Sequence, residues 1–181
     1  MQTANNGVMM VAQLMALSAR TAPKGKGRDS LECSIAGPED LAILSNEMKR
    51  LSRTLGLSIF SRDAENISAS DACLILGVRG REPVGINCQG CGYEGCDTMV
   101  AATGPVTSIG PFKGPNCVIK ISDLGIAVGS AVKTASLHNV DNRVMYTAGA
   151  AALSLGWLPG CTVAYGVPLK VSGKNIFFDR Q

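Results

Sequence analysis

Apolar residues recur along this chain with two different periods, which outline its secondary structure. Residues 38–55 carry apolar side chains three and four positions apart, at Leu41, Leu44, Met48, Leu51 and Leu55. That spacing is typical of one buried helix face, and Pro38 and Gly56 suit the two ends of such a helix. Residues 72–78 (ACLILGV) are short and almost wholly apolar, which predicts a central strand buried on both faces.

The remaining pattern predicts further helices and strands in alternation. We expect helices over residues 6–20, 123–137 and 141–155, and strands over residues 31–36 and 161–165. Asp123 and Asp141 would cap the last two helices, because aspartate is favoured at helix N-termini. This alternation predicts an α+β (α/β-like) chain, and its length suggests a single domain over residues 1–181.

Composition narrows the function classes. The net charge is +3, and no basic run is interleaved with aromatic residues, so nucleic-acid binding is not expected. An apolar run covers residues 8–17, but the first basic residue is Arg20. A signal peptide needs a cationic start, and a membrane span needs a longer run. We therefore expect a cytoplasmic protein without membrane contact, in which cysteines are reduced or metal-bound.

Four of the seven cysteines form a compact pattern, C-x2-C-x4-C-x20-C, at Cys88, Cys91, Cys96 and Cys117. Glycines lie between the first three and let a backbone turn tightly and approach a ligand closely. Four thiolates in such a loop are the ligand set of an iron–sulfur cluster. Residues 87–118 would then be a metal-binding loop inserted in the domain.

Two other interpretations of these cysteines remain open at this point. Structural zinc also accepts four thiolates, although its usual pattern is two short knuckles far apart. Alternatively, Cys88 and Cys91 are a redox dithiol, which leaves Cys96 and Cys117 unexplained. The other three cysteines, Cys33, Cys73 and Cys161, lie among apolar neighbours and are predicted to be buried small hydrophobic residues.

The cysteine loop resembles the four-cysteine [4Fe-4S] domain of ferredoxin-type electron-transfer subunits, through Cys88-x-x-Cys91-Gly-Tyr-x-x-Cys96 and a distal Cys117. This resemblance implies that all four cysteines bind one [4Fe-4S] cluster. It also implies electron transfer with a protein partner or, if the protein is an enzyme, an oxidoreductase. The alternative is a structural four-thiolate site in an interaction module or in a redox or iron sensor.

A second resemblance, to flavin-dependent nitroreductases, lies outside the loop. It is carried by residues 16–28 (ALSARTAPKGKGR), residues 123–127 (DLGIA), Leu155-Gly156 and residues 165–168 (YGVP). It implies a three-layer core, a homodimer and FMN at the dimer interface. Lys24, Lys26 and Arg28 are the candidates for the FMN phosphate, in a loop whose glycines could offer backbone N–H groups as an anion nest.

Small residues are unusually frequent in the predicted helix 123–137, at Gly125, Ala127, Gly129, Ala131 and Ala135. Glycine destabilises a helix interior by roughly 1 kcal/mol relative to alanine, so a close neighbour is expected to offset that loss. This favours a homodimer with the helix at its interface. Over nearly its full length, with TAPKGKG, the cysteine loop and SGKNIFFDR, the chain resembles a family of ferredoxin-domain-containing proteins of unknown function.

Overall fold

The computed structural model describes residues 2–103 and 110–178, with side chains from residue 6 onward. Its helices are α1 (Gln2–Thr21), α2 (Pro38–Leu55), α3 (Ser58–Ser68), α4 (Cys96–Ala101), α5 (Val118–Leu137) and α6 (Tyr146–Ser154). Its strands are β1 (Leu31–Ala36), β2 (Ala72–Val78), β3 (Asp141–Asn142) and β4 (Val163–Lys170). A short 3₁₀ turn at Gly25–Gly27, here called the Gly25 turn, connects α1 to β1.

The strands form one antiparallel sheet in the order β1-β2-β4-β3. Strand β2 pairs along its length with β1 on one side and β4 on the other. All seven of its residues are buried, which confirms the central strand predicted from its apolar run. Because every pairing is antiparallel, the fold is α+β.

Helices cover both faces of the sheet and make three layers. Strand β2 alternates between them: Leu74 and Leu76 belong to a core shared with α1 and α5, whereas Cys73 and Ile75 belong to a core shared with α2, α3 and α6. The two cores explain why β2 is apolar at consecutive positions, since a strand buried on both faces has no solvent side. The three-layer architecture predicted from the sequence is confirmed.

Two predicted helix starts are wrong. Helix α5 begins at Val118 rather than Asp123, and Asp123 lies buried inside it, where its carboxylate accepts a hydrogen bond from the Gly25 N–H. Asp141 does not cap a helix. It lies in β3, where its backbone pairs with Lys170 of β4, and α6 starts later, at Tyr146. In both cases the aspartate contacts a distant segment of the chain, although local propensity favours it as a helix cap.

Helices α3 and α4 were not predicted. Helix α3 carries a readable signal, because Phe60, Ala64 and Ile67 are all fully buried at helical spacing. The last strand is also longer than predicted and runs to Lys170. The predicted insert, residues 87–118, contains residues 104–109, which lie outside the described residues.

None of the helices within residues 2–103 and 110–178 is long and apolar enough to cross a lipid bilayer. The apolar run at residues 8–17 instead lies in α1, where Val8, Ala12 and Met15 are buried in the core. This agrees with its prediction as a buried helix.

Candidate metal centre

The end of the central sheet positions Cys117. Its N–H donates to the Gly80 carbonyl at 2.8 Å, just beyond β2. The neighbouring Asn116 accepts a hydrogen bond from the Thr162 hydroxyl at 2.5 Å, and that hydroxyl accepts one from the Gly80 N–H at 3.1 Å. Cys117 is thus the N-terminal cap residue of α5, held at the edge of two strands.

Short hydrogen bonds fold the loop that carries the other three cysteines. The Asn87 side-chain oxygen accepts a bond from the Cys96 N–H at 2.9 Å. The Gly92 N–H donates to the Gln89 carbonyl at 2.9 Å. Gly92 has a φ of 83°, a left-handed conformation that glycine adopts without strain. The bond from Gly92 closes a turn that starts at Gln89. The bond from Cys96 brings the start of α4 back to Asn87.

Gly90 brings this loop against α5. A Cβ at Gly90 would stand 2.6 Å from Cγ1 of Val118 and 3.7 Å from the Cys88 sulfur. Only a residue without a side chain fits at the first distance. The loop and the first turn of α5 are therefore in direct contact beside Cys88.

All four predicted ligands line one pocket. Cys88, Cys91, Cys96 and Cys117 line a small cavity of about 10 Å³. Val84 and Met99 form a buried floor with Cys117, each at most 5% exposed. Cys91 and Cys96 are half-buried and Cys88 is exposed. The structure brings the four thiols together from a loop and a helix terminus, and their role as ligands remains a prediction.

The arrangement of the thiols bears on the kind of centre that would fit. Among the described residues, no three His, Cys, Asp or Glu side chains gather as they would around a single metal ion. Tetrahedral zinc needs four sulfurs about 2.3 Å from one point. A cluster instead binds thiolates through separate irons. By donor type the four thiols fit an iron–sulfur cluster, and they fit a structural zinc ion equally.

The remaining cysteines, Cys33, Cys73 and Cys161, do not line this pocket. Burial raises the pKa of the Cys33 thiol and of the fully buried Cys73 thiol. Burial, assisted by the Glu32 carboxylate, raises the pKa of Cys161 to about 11. Since the thiolate is the metal ligand and the nucleophile, fully buried Cys73 is the small hydrophobic residue predicted from the sequence, whereas Cys33 and Cys161 are only half-buried.

The Gly25 turn does not form the predicted anion nest. The Gly25 N–H donates to Asp123, and the N–H groups of Gly27 and Arg28 donate to carbonyls of the turn itself. The Lys24 ammonium donates to the carbonyls of Arg20 and Ala22 at 2.5 and 2.8 Å, at the end of α1. Among the three predicted phosphate ligands, the side chains of Lys26 and Arg28 are exposed, and phosphate binding by them remains a prediction.

A buried ion pair that sequence reasoning missed ties this turn to α5. The Lys120 ammonium, 1% exposed, donates to the Arg28 carbonyl at 2.5 Å and lies 3.4 Å from the Asp123 carboxylate. The spacing of Lys120 and Asp123 by three residues is the only local signal, and such pairs are usually exposed. The pair begins one turn after Cys117.

The Gly25 turn also lies directly behind the cysteine pocket. A Cβ at Gly25 would stand 2.6 Å from Cγ2 of Ile119 and 3.2 Å from Cγ2 of Val84. Val84 belongs to the pocket floor. The turn that carries Lys26 and Arg28 is thus separated from the four thiols by one layer of apolar side chains.

We predict that Lys120→Met lowers the free energy of unfolding by about 3–5 kcal/mol, because it leaves the Asp123 carboxylate buried without its cation. Denaturant unfolding measures the loss. The double variant Lys120→Met/Asp123→Leu is expected to recover most of it, and Lys49→Met, which breaks the surface pair with Glu65, to lose less than about 1 kcal/mol. Equal losses in the first and third variants would contradict this role.

The raised cysteine pKa values predict slow alkylation. At pH 8, iodoacetamide should label Cys161 on the order of a hundredfold more slowly in the folded protein than in the unfolded chain. The rate should rise as the pH approaches the folded pKa of about 11, since only the thiolate reacts. Peptide mass spectrometry after timed quenching measures each site, and exposed Cys88 in metal-depleted protein is the internal control. Equal rates at Cys161 and Cys88 would contradict the prediction.

Comparison with known proteins identifies a family to which the chain is similar. A family model described as "Uncharacterized protein containing a ferredoxin domain (DUF2148)" matches residues 113–180. That stretch contains Cys117 but not the other three loop cysteines. A protein of Archaeoglobus fulgidus described as uncharacterised is 42% identical over 176 residues, which cover 97% of this chain and 93% of that protein.

Solved structures show the fold. A nitroreductase family protein from Clostridium novyi NT has a TM-score of 0.57 at 13% identity, covering 94% of this chain and 86% of its own. A nitroreductase with bound FMN from Desulfitobacterium hafniense DCB-2 has a TM-score of 0.55 at 14% identity, with coverages of 91% and 78%. Some other proteins of this fold are longer, and the chain spans 61–63% of their length. The chain belongs to the family of uncharacterised ferredoxin-domain proteins and has a nitroreductase-like fold.

Proposed function

We propose that this protein carries one [4Fe-4S] cluster on Cys88, Cys91, Cys96 and Cys117 and moves single electrons. The observation that carries the proposal is the pocket lined by all four thiols. The ferredoxin domain in the family description supports it. When bound, the cluster supplies reversible one-electron oxidation and reduction.

The protein's own residues would orient and shield that cluster. Cys117 stands at the N-terminus of the 20-residue helix α5, whose dipole favours negative charge there. Val84 and Met99 keep water from the floor of the pocket. Half-buried Tyr93 packs against the same floor. Water exclusion and nearby dipoles tune the reduction potential of a cluster.

FMN is the second cofactor in this proposal. It is suggested by the similar nitroreductase with bound FMN and by the two exposed cations Lys26 and Arg28 on the Gly25 turn. Because that turn contacts the pocket floor through Val84, electrons would pass between cluster and flavin inside one subunit, and the protein would be an oxidoreductase.

A homodimer completes the proposal, with α5 at its interface. The alanines at 127, 131 and 135 are buried in the core shared with α1. Gly125 and Gly129 instead face outward, with open space where a Cβ would stand. Ile126 beside them is 46% exposed, and Met10 and Leu17 on α1 are each 62% exposed. A second copy would cover these apolar side chains and use the room at the glycines.

Metal analysis of anaerobically purified protein tests the cluster. We expect a brown protein with about four irons and four acid-labile sulfides per chain. Cys88→Ser and Cys117→Ser should each lose most of the iron, whereas the matched control Cys161→Ser should keep it. A colourless protein with one zinc per chain would overturn the cluster in favour of a structural metal site.

Heat should release a fluorescent flavin from the same sample, and less of it from Lys26→Ala/Arg28→Ala.

We expect Gly129→Leu to convert the dimer to a monomer, since the larger side chain would hold the two α5 helices apart. Sedimentation velocity of the variant and the parent protein measures the change. Arg53→Leu, on the exposed side of α2, is the control and should leave the dimer intact. A Gly129→Leu protein that still sediments as a dimer would move the interface elsewhere.

A further inference from the structure

We infer that the open side of the cysteine pocket is a docking surface for a basic protein that exchanges single electrons. The inference rests on the proposed function, because it requires a reducible cluster behind that surface. The surface, here called the docking rim, consists of Ile86, Cys88 and Val118, which line the pocket, and of exposed Glu94 and Asp97 in the adjoining segment.

Among the described residues, the two sides of the pocket differ in exposure. Val84, Met99 and Cys117 close its floor, each at most 5% exposed. On the other side, every residue from 85 to 90 is exposed, Cys88 among them. The Cys88 corner would therefore be the part of a bound cluster nearest to solvent. Because electron transfer weakens steeply with distance, a partner protein would exchange electrons best at that corner.

Apolar side chains flank this corner. Ile86 is 44% exposed and Val118 is 37% exposed, and both line the same pocket as the thiols. Val118 is fixed there by its close approach to Gly90. Exposed apolar groups beside a polar margin are typical of a protein interface. The small size of this patch suits electron-transfer encounters, whose interfaces are among the smallest and most transient.

The charges around this corner are acidic, although the whole chain has a net charge of +3. No lysine or arginine occurs from residue 82 to residue 112. Glu94 lies within the cysteine loop and Asp97 in the first turn of α4, and both are exposed. In the described part of the chain neither belongs to a salt bridge. A cluster on four thiolates adds further negative charge.

Of the two basic residues that flank residues 82–112, Arg81 binds the end of α4 and Lys113 is exposed. The Arg81 guanidinium donates to the carbonyls of Val100 and Ala102 at the end of α4. Lys26 lies in the Gly25 turn and Arg28 directly follows it. That turn lies behind the pocket floor. The docking rim therefore presents an apolar centre and an acidic margin. Its complement is a partner with a basic margin, since opposite potentials guide the approach of two proteins.

The exchange is balanced with one electron. A cluster reduced by one electron would return to its oxidised state, and the one-electron acceptor of the partner, a ferric haem in the test below, would be reduced. No bond forms or breaks, and no proton is transferred.

Stopped-flow oxidation of the reduced holoprotein by basic ferricytochrome c tests the inference. We expect the second-order rate to fall as ionic strength rises, because salt screens the attraction. Glu94→Lys/Asp97→Lys should lower the rate about tenfold at low ionic strength and flatten its salt dependence. Ile86→Ser should also lower it, after correction for iron content. On α2, Glu39→Lys and Ile43→Ser are the matched controls and should change neither quantity.

Outcomes against the inference differ from those against the proposed function. If dithionite reduces no cluster, the proposed function fails and this inference fails with it. If the cluster is reduced and benzoquinone reoxidises it, but Glu94→Lys/Asp97→Lys reacts with cytochrome c as the parent does, only the docking rim is overturned. A rate that rises with ionic strength would likewise exclude a basic partner at this surface.

Discussion

The first two turns of α5 are the constraint on which the rest of the candidate site depends. At the start of the helix, the Cys117 N–H binds the Gly80 carbonyl at the end of β2. One turn later, Lys120 and Asp123 bind the backbone of the Gly25 turn. A single helix terminus therefore relates three parts of the chain that are far apart in sequence: the central sheet, the cysteine loop and the basic turn.

Burying the Lys120–Asp123 pair costs free energy, because both charges lose their hydration and only well-placed hydrogen bonds inside the protein offset that loss. Apolar residues of similar size could fill the same space. What the ionic pair adds is direction: Asp123 accepts from Gly25 and Lys120 donates to Arg28, so the turn is held in one orientation. Apolar side chains could not specify that orientation, and the proposed electron path from cluster to flavin depends on it.

The sheet and the helices were largely readable from the sequence. Strands β1 and β2 coincide with the predicted ranges, because β2 is a continuous apolar run and β1 alternates between apolar and polar residues. Helix α2 ends at Gly56 in a left-handed conformation, as its sequence indicates. The predicted helix starts were wrong where an aspartate that local propensity favours as a cap makes a long-range contact instead. Asp123 and Asp141 resemble helix caps locally, but Asp123 binds the Gly25 turn and Asp141 pairs in an edge strand instead.

The sequence by itself determined the chemistry available to this protein. Thiol type and spacing predict a four-thiolate centre, and those properties are local to the chain. Only the tertiary structure decided that Cys117 meets the loop around one pocket, that Lys24 caps α1 and that the nest N–H groups are already used. It also decided that Ile86, Cys88, Glu94 and Asp97 are exposed. These outcomes depend on contacts between distant segments, which residue spacing does not encode.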